Sequence, residues 1–298
     1  MGRVTNRVRA TRVDLAGDGH VGERVETLVV EAPMEVRVEG QSFSVTMRTP
    51  GDDFDLTIGF LLSEGVITSA ADVRALMHCQ DEDESGSPTY NVVDVALAEG
   101  VARPAVEDAR RVLTTSACGV CGTASIDAVR TNGRYDVAAD QTSYDPDVLV
   151  SLPERMREHQ KVFDRTGGVH AAGLFTADGE LVVMREDIGR HNAVDKVVGW
   201  AAREGKLPLT GHVLVVSSRA SFELTQKAYV AGIPALVAVS APSSLAVDLA
   251  REVGLTLVAF VRASRLTAYS GVQRLRLAAD RASNGGVSTP GPAVSQTG

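Results

Sequence analysis

Cysteine is scarce in this chain: 298 residues hold only Cys79, Cys118 and Cys121. That excludes a disulfide framework and agrees with a reducing compartment. Long apolar runs are missing as well, since none approaches the roughly 20 residues that cross a bilayer. The opening Met1-Gly-Arg-Val-Thr-Asn-Arg-Val-Arg9 has no hydrophobic signal core, so a cytoplasmic location and no membrane partner are expected. Cationic excess is absent too. With 30 Lys and Arg against 38 Asp and Glu, the formal charge of −8 argues against a non-specific nucleic-acid role. Any anionic ligand must therefore meet a local basic cluster. What the chain does have is 44% hydrophobic residues and enough length for one large or two modest cores.

Two of the three cysteines stand three apart in Thr114-Thr-Ser-Ala-Cys118-Gly119-Val-Cys121-Gly122, each followed by glycine. Glycine lets backbone amides approach closely and leaves the sulfurs accessible, which fits an open turn. The following Thr123-Ala-Ser-Ile-Asp-Ala-Val-Arg130 suits a helix start, whose unpaired N–H groups favour a thiolate. Three chemistries share this spacing. As a zinc site it is half complete, lacking a second Cys-x-x-Cys or a His-x-His, and no metal is expected. As a dithiol redox site it lies too far along the chain for a thioredoxin-like unit. As a transfer site it would attack an electrophilic sulfur or carbon and hold the transferred group covalently.

Residues 1–24 mix arginine and glycine without sustained period and read as a flexible arm. Alternation from Thr27 to Met47 around Glu39-Gly40-Gln41 predicts a β-hairpin. Phe54, Ile58, Leu61 and Leu62, stopped by Gly65, predict a helix covering it. Asp81 to Pro88 reads as a solvated acidic loop, and Asn91 to Leu97 as a strand. These elements make a smaller α+β domain over residues 25–112. In the second region, residues 113–279, Pro153 to Phe163 reads as an amphipathic helix, and strands around Asp178-Gly179 form a hairpin. Apolar strands at His212, Ala235 and Thr256 then alternate with helices starting near His191, Phe222 and Leu245. That rhythm means an α/β sandwich with parallel later strands, in which ligands meet the carboxyl ends of the strands. Residues 280–298 form a disordered tail by composition.

The strand-end loops Ser217 to Ser221, Ser240 to Ser244 and Arg262 to Arg265 carry hydroxyls and arginines, including Arg219, which suit phosphates. Arg185 to Lys196 packs charge, a histidine and an asparagine into a strand-to-helix junction. Arg190, His191 and Lys196 can bind phosphates there; a helix start capped by Asp187 or Asn192 with surface ion pairs accounts for the same residues. His170 in Gly167-Gly-Val-His-Ala-Ala172 echoes the His-x-Glu of zinc deaminases, but Ala172 stands where the glutamate would be. Deaminase chemistry is disfavoured. His78 beside Cys79 and His159 on a helix surface fall in no patterned ligand set.

Taken together, Thr115-Ser-Ala-Cys-Gly-Val-Cys-Gly122, Gly167 to Ala172, Glu186 to Lys196, Ser217-Ser-Arg-Ala-Ser-Phe-Glu223 and Phe260-Val-Arg-Ala-Ser-Arg265 resemble the FdhD family of formate dehydrogenase accessory sulfurtransferases. The likeness runs from about residue 25 to 277. It implies a cytidine-deaminase-like three-layer α/β sandwich with a smaller N-terminal α+β domain. It also implies a sulfurtransferase that receives persulfide sulfur from a cysteine desulfurase and passes it to the molybdenum cofactor bearing two molybdopterin guanine dinucleotides, for formate dehydrogenase. By the same likeness Cys118 carries the persulfide and Cys121 assists. By that likeness Phe260, Val261, Arg262, Ala263, Ser264 and Arg265 are expected to contact the cofactor; their placement adds Ser217, Arg219, Arg190, His191 and Lys196 to the expected site, and a homodimer is expected. Two other classes remain: a non-covalent cofactor-binding chaperone with a zinc-holding pair, and a thiol oxidoreductase.

Overall fold

A computed structural model describes residues 3–15, 20–79, 89–104, 133–262 and 264–277. Cys118, Cys121, the helix start after them, the acidic loop at 81–88, Ala263 and the tail lie outside the described residues. The described residues hold twelve strands in three sheets. β1 (Thr5–Asp14) and β2 (His20–Val29) pair with each other; β3 (Ala32–Val38), β4 (Gln41–Arg48), β5 (Val73–His78) and β6 (Val92–Leu97) form a sheet ordered β4-β3-β6-β5. The third comprises β7 (His170–Thr176), β8 (Leu181–Asp187), β9 (His212–Val216), β10 (Ala235–Ala238), β11 (Thr256–Arg262) and β12 (Arg265–Ser270), ordered β12-β11-β10-β9-β7-β8.

The described residues also hold six α-helices: α1 (Asp53–Ser63), α2 (Pro146–Arg157), α3 (Lys161–Thr166), α4 (Arg190–Arg203), α5 (Phe222–Val230) and α6 (Ser244–Glu252). Both faces of the six-stranded sheet are covered. Leu214 and Val216 of β9 share a core with α4 and α5, while Val213 and Val215 pack with Leu149, Leu152 and Met156 of α2. This strand has apolar residues on both faces, as a central strand between helix layers requires. Each fully buried Val or Leu contributes roughly 1.5–3 kcal/mol. The fold is mixed α/β, and β9, β10 and β11 run parallel.

The predicted β3–β4 hairpin forms with its turn at Glu39 and Gly40, both at positive φ. α1 covers it and does more. Leu56, Ile58, Leu61 and Leu62 lie in one cluster with Met34, Val36 and Phe43 of that sheet and with Val194, Val197 and Val198 of α4. α1 and α4 approach so closely that a Cβ on Gly59 would overlap the Asp195 carbonyl, and one on Gly199 the Asp55 carbonyl. A single core thus runs from the four-stranded sheet to the six-stranded one.

Several expectations are corrected. Most of the expected arm at residues 1–24 is an antiparallel ribbon, ten residues per strand, continuing to Val29. The helix expected from Pro153 starts at Pro146, capped by Asp145 accepting from the Asp147 N–H, and holds Pro153 inside it; α3 then follows separately. Arg265, expected to end the loop that begins at Arg262, instead starts an edge strand running to Ser270.

Candidate active site

Topology fixes where chemistry can converge. β8 and β9 both run antiparallel to β7, and β9, β10 and β11 run parallel, so the carboxyl ends of β8, β9, β10 and β11 share one edge. β7 begins at that edge with His170, and β12 begins there with Arg265. α4, α5 and α6 also start there, each following the strand that feeds it. Their N-terminal N–H groups give the edge a positive potential.

Backbone hydrogen bonds knit the loops into one surface. The Ala220 N–H donates to the Ala241 carbonyl at 3.2 Å, Ser243 N–H to Ala220 at 2.9 Å, and Phe260 N–H to Ser240 at 3.2 Å. Ser217 Oγ accepts from the Ala171 N–H at 2.9 Å, locking β9's end onto β7. Ser221 caps α5 and Ser243 caps α6, through the Leu224 and Ala246 N–H groups. The hydroxyls therefore shape the loops first, and the exposed cations Arg219, Arg262 and Arg265 stand beside them.

The β11–β12 tip is unusual. Arg262 and Arg265 form a register pair, and the pairing shifts between Ala259 and Arg262. Within that shift Phe260 takes φ 52 and leaves its ring 43% exposed. A non-glycine residue in the left-handed region costs roughly 1–2 kcal/mol, and such strain gathers at functional positions. An exposed ring there suits stacking on a flat heterocycle. Ser264 is exposed; Val261 is buried in the α2-side core and offers that surface only backbone.

On the other side of the edge, His191 Nε2 lies 3.2 Å from Glu223 and 3.4 Å from Ser221 Oγ. The hydrogen bond from His191, opposed by burial, pushes the Glu223 carboxyl down to about 2. His170 is half-buried and held below the ordinary imidazole value, first by burial, then by the charges of Arg190 and His191. Arg190 Nε is buried without a hydrogen-bond partner among the described residues. Arg190 and His191 thus form a cationic corner beside His170, whose own charged form they disfavour.

Lys196 does not belong to it. Its ammonium is buried, 2.7 Å from Asp187 and donating to the Thr49 carbonyl at 2.9 Å. Asp187 also accepts from the Thr49 and Gly189 N–H groups and from Asn192, which in turn donates to the Met47 carbonyl. This network clamps β4's end to the α4 start, so no face of Lys196 remains for a phosphate. Glu186, another residue of the junction, accepts from the Val162 and Phe163 N–H groups and caps α3. One turn below His191, Asp195 meets Lys227 at 2.7 Å and accepts from Ser63. Nothing in the local sequence names Thr49 or Lys227 as partners, because both come from distant segments.

Ala172 is wholly buried against the α4-side core, so a glutamate at that place would be in the protein interior. His78 stacks on Phe54 at 4.8 Å and meets Tyr90 edge-on, while Cys79 donates its N–H to Val92 within the sheet. His159 is exposed just beyond α2. Among the described residues no group of three or more His, Cys, Asp or Glu is placed to hold a metal ion, and no helix is long and apolar enough to cross a membrane.

Comparison with known proteins gives a consistent result. A family model, FdhD/NarQ family, matches residues 29–276. The chain is 56% identical over 280 residues to the sulfur carrier protein FdhD of Streptomyces coelicolor, covering 94% of this chain and 98% of that protein. It is 53% identical over 273 residues to the same-named protein of Mycolicibacterium paratuberculosis, covering 92% and 99%. The fold is similar to a crystal structure from Desulfotalea psychrophila, proposed to be a formate dehydrogenase accessory protein. The TM-score is 0.71 at 22% identity, covering 92% of this chain and all of that one. With its matched span reaching from the start of the four-stranded sheet to the end of the six-stranded one, the chain belongs to the FdhD/NarQ family.

Proposed function

We propose that this protein is a sulfur carrier that takes sulfane sulfur from a cysteine desulfurase onto Cys118 and delivers it to the molybdenum cofactor carrying two molybdopterin guanine dinucleotides, for use by formate dehydrogenase. The observation that carries the reading is identity above one half to relatives named sulfur carrier proteins, over more than nine-tenths of the chain. That favours the carrier over a zinc-holding chaperone or a general thiol oxidoreductase. The edge geometry is consistent with the acceptor. Phosphates suit Arg219, Arg262, Arg265 and the cationic corner at Arg190 and His191, and a flat heterocycle suits the exposed Phe260 ring.

The two cysteines divide the chemistry. Loading is attack of the Cys118 thiolate on the outer sulfur of a protonated donor persulfide, which breaks the donor S–S bond, leaves the donor thiolate and forms the hydropersulfide Cys118–S–SH. Sulfane sulfur is at oxidation level zero, whereas sulfide is two electrons richer. Cys121 supplies those electrons: its thiolate attacks the Cys118 Sγ, a Cys118–Cys121 disulfide forms, and HS⁻ leaves toward the acceptor with the persulfide proton. A dithiol reductant then restores both thiols.

The test is activation of formate dehydrogenase in cells lacking the native carrier. Cys118→Ala should abolish it. Cys121→Ala should load sulfur but deliver it poorly. Full activation by Cys118→Ala would end the covalent reading.

A further inference from the structure

His191 stands second in α4, and a carboxylate from α5 meets it there. Its Nε2 lies 3.2 Å from Glu223 Oε2 and 3.4 Å from Ser221 Oγ, with both members of the ion pair about one-third exposed. Glu223 is itself fixed. It sits in the first turn of α5, where it accepts from its own N–H and from Ser221, the cap of that helix. The positive potential of a helix start favours a carboxylate at that place. His191 Nδ1, by contrast, makes no hydrogen bond among the described residues.

A neutral imidazole that donates through Nε2 has only an acceptor at Nδ1, which a phosphate oxygen repels. The imidazolium donates through both nitrogens. Whether Nδ1 can serve a phosphate therefore depends on the charge opposite Nε2, since an opposite charge within about 4–6 Å favours the charged form. Arg190, next in the chain, and His170, facing His191 from β7, supply none. Asp195, one turn on, is engaged by Lys227 at 2.7 Å, and Glu64, just past α1, faces Lys227 and Glu223. On α1, Asp53 pairs with Arg48, and Asp55 with Arg185 and Arg203. On β8, Glu186 caps α3 and Asp187 holds Lys196. Among the described residues that leaves Glu223 as the counter-charge, and its depressed carboxyl stays ionised through the neutral range.

We infer that Glu223 is a positioning residue for the acceptor: it holds His191 by Nε2 so that Nδ1 presents a proton to one phosphate of a guanine dinucleotide. Glu223 does not touch the ligand and acts through the imidazole. The inference rests on the reading that this edge holds the acceptor, and it adds to that reading a residue outside the arginine loops.

Affinity against pH tests it, by calorimetry on the full chain with diguanosine diphosphate between about pH 5 and 8. The bridging diphosphate of that probe is a diester and does not titrate in this range, so a change with pH reports the protein. The parent should lose about tenfold in affinity toward alkaline pH, as one charge-assisted contact is lost. Glu223→Gln keeps an oxygen opposite Nε2 and removes the charge, so the fall should come about one pH unit lower. Glu223→Asp, which keeps the charge, should restore it partway. His191→Gln should bind about tenfold more weakly at the acid end, and its difference from the parent separates this imidazole from His170.

A purely structural Glu223 would lower the melting temperature of Glu223→Gln and leave the pH of the fall unmoved, and that result would overturn the inference. A parent affinity independent of pH would do the same. Should Glu223→Gln not fold, parallel pH curves for the parent and His191→Gln would overturn it equally. Failure of the underlying reading has a different signature: a parent that binds no diguanosine diphosphate at any pH overturns the acceptor site and this inference together.

Discussion

Arg262 and Arg265 face each other as the register pair that closes the β11–β12 hairpin, both exposed, at the edge where α4, α5 and α6 begin. Like charges directly opposite cost several tenths of a kcal/mol, so the hairpin holds this pair against its own stability. A bound phosphate reverses the sign of that cost. Each charge-assisted contact is worth roughly 1.5–3 kcal/mol, so GDP, standing in for half of the acceptor, should bind about tenfold or more weakly to Arg265→Ala. Thermal stability should hold or rise slightly. Calorimetry in which the Arg262→Ala, Arg265→Ala double variant keeps parental affinity would place the phosphate elsewhere, the Arg190–His191 corner being next.

Lys196 should behave in the opposite way. Removing its ammonium leaves Asp187 buried without a counter-charge, which costs about 3–5 kcal/mol. Lys196→Met should lower the melting temperature sharply while the folded fraction binds GDP with parental affinity. A loss of binding with unchanged stability would return Lys196 to the ligand.

Arg274 is a second cation held for structure. Its guanidinium donates to the carbonyls of Asp140 at 2.9 Å, Gly254 at 2.7 Å, Val137 at 2.8 Å and Ala138 at 3.1 Å, joining the chain before α2 to the last strands. A single ammonium cannot reach so many acceptors. Arg274→Lys should therefore cost most of what Arg274→Ala costs, about 3 kcal/mol or more, by urea unfolding. Rescue by lysine would mean that charge, not the planar fork, holds these segments.

His170 predicts a pH dependence with a definite sign. Because the folded state holds it below the ordinary value of 6.5, the unfolded chain binds a proton that the folded chain refuses between those two values. Stability should therefore fall as pH drops through the window below about 6.5, and be independent of this group above it. Asp187 favours the charged form and Arg190 and His191 oppose it, with burial the larger effect. His170→Gln should flatten the slope of unfolding free energy in the window just below about pH 6.5. An unchanged slope would assign the dependence to His78, which burial also holds down.

Much of the fold was legible because burial imposes period. The strands at His212, Ala235 and Thr256 and the helices between them are apolar where they meet, and the residues say so. The β1–β2 ribbon was not legible, since solvent meets nearly all of it and no alternation is required of Arg7-Val-Arg-Ala-Thr-Arg12. The start of α2 carries its signal in Asp145-Pro146, a cap followed by proline in the first turn, whereas Pro153, which suits a helix start equally well by residue type, lies inside the helix. At the site, the arginines and hydroxyls of the edge follow from strand order alone. The burial of Lys196 does not, because it depends on Thr49 from another sheet. Neither does the positive φ of Phe260, which arises from the pairing shift beside it.

The central claim is that sulfur travels on Cys118. The direct measurement is peptide mass spectrometry of the protein after incubation with cysteine and a cysteine desulfurase, without reductant. One or more added sulfurs should appear on the peptide containing Cys118, persist in Cys121→Ala and vanish in Cys118→Ala. Sulfur found on Cys121 or Cys79 instead, or no sulfur adduct on any of the three, would contradict the account.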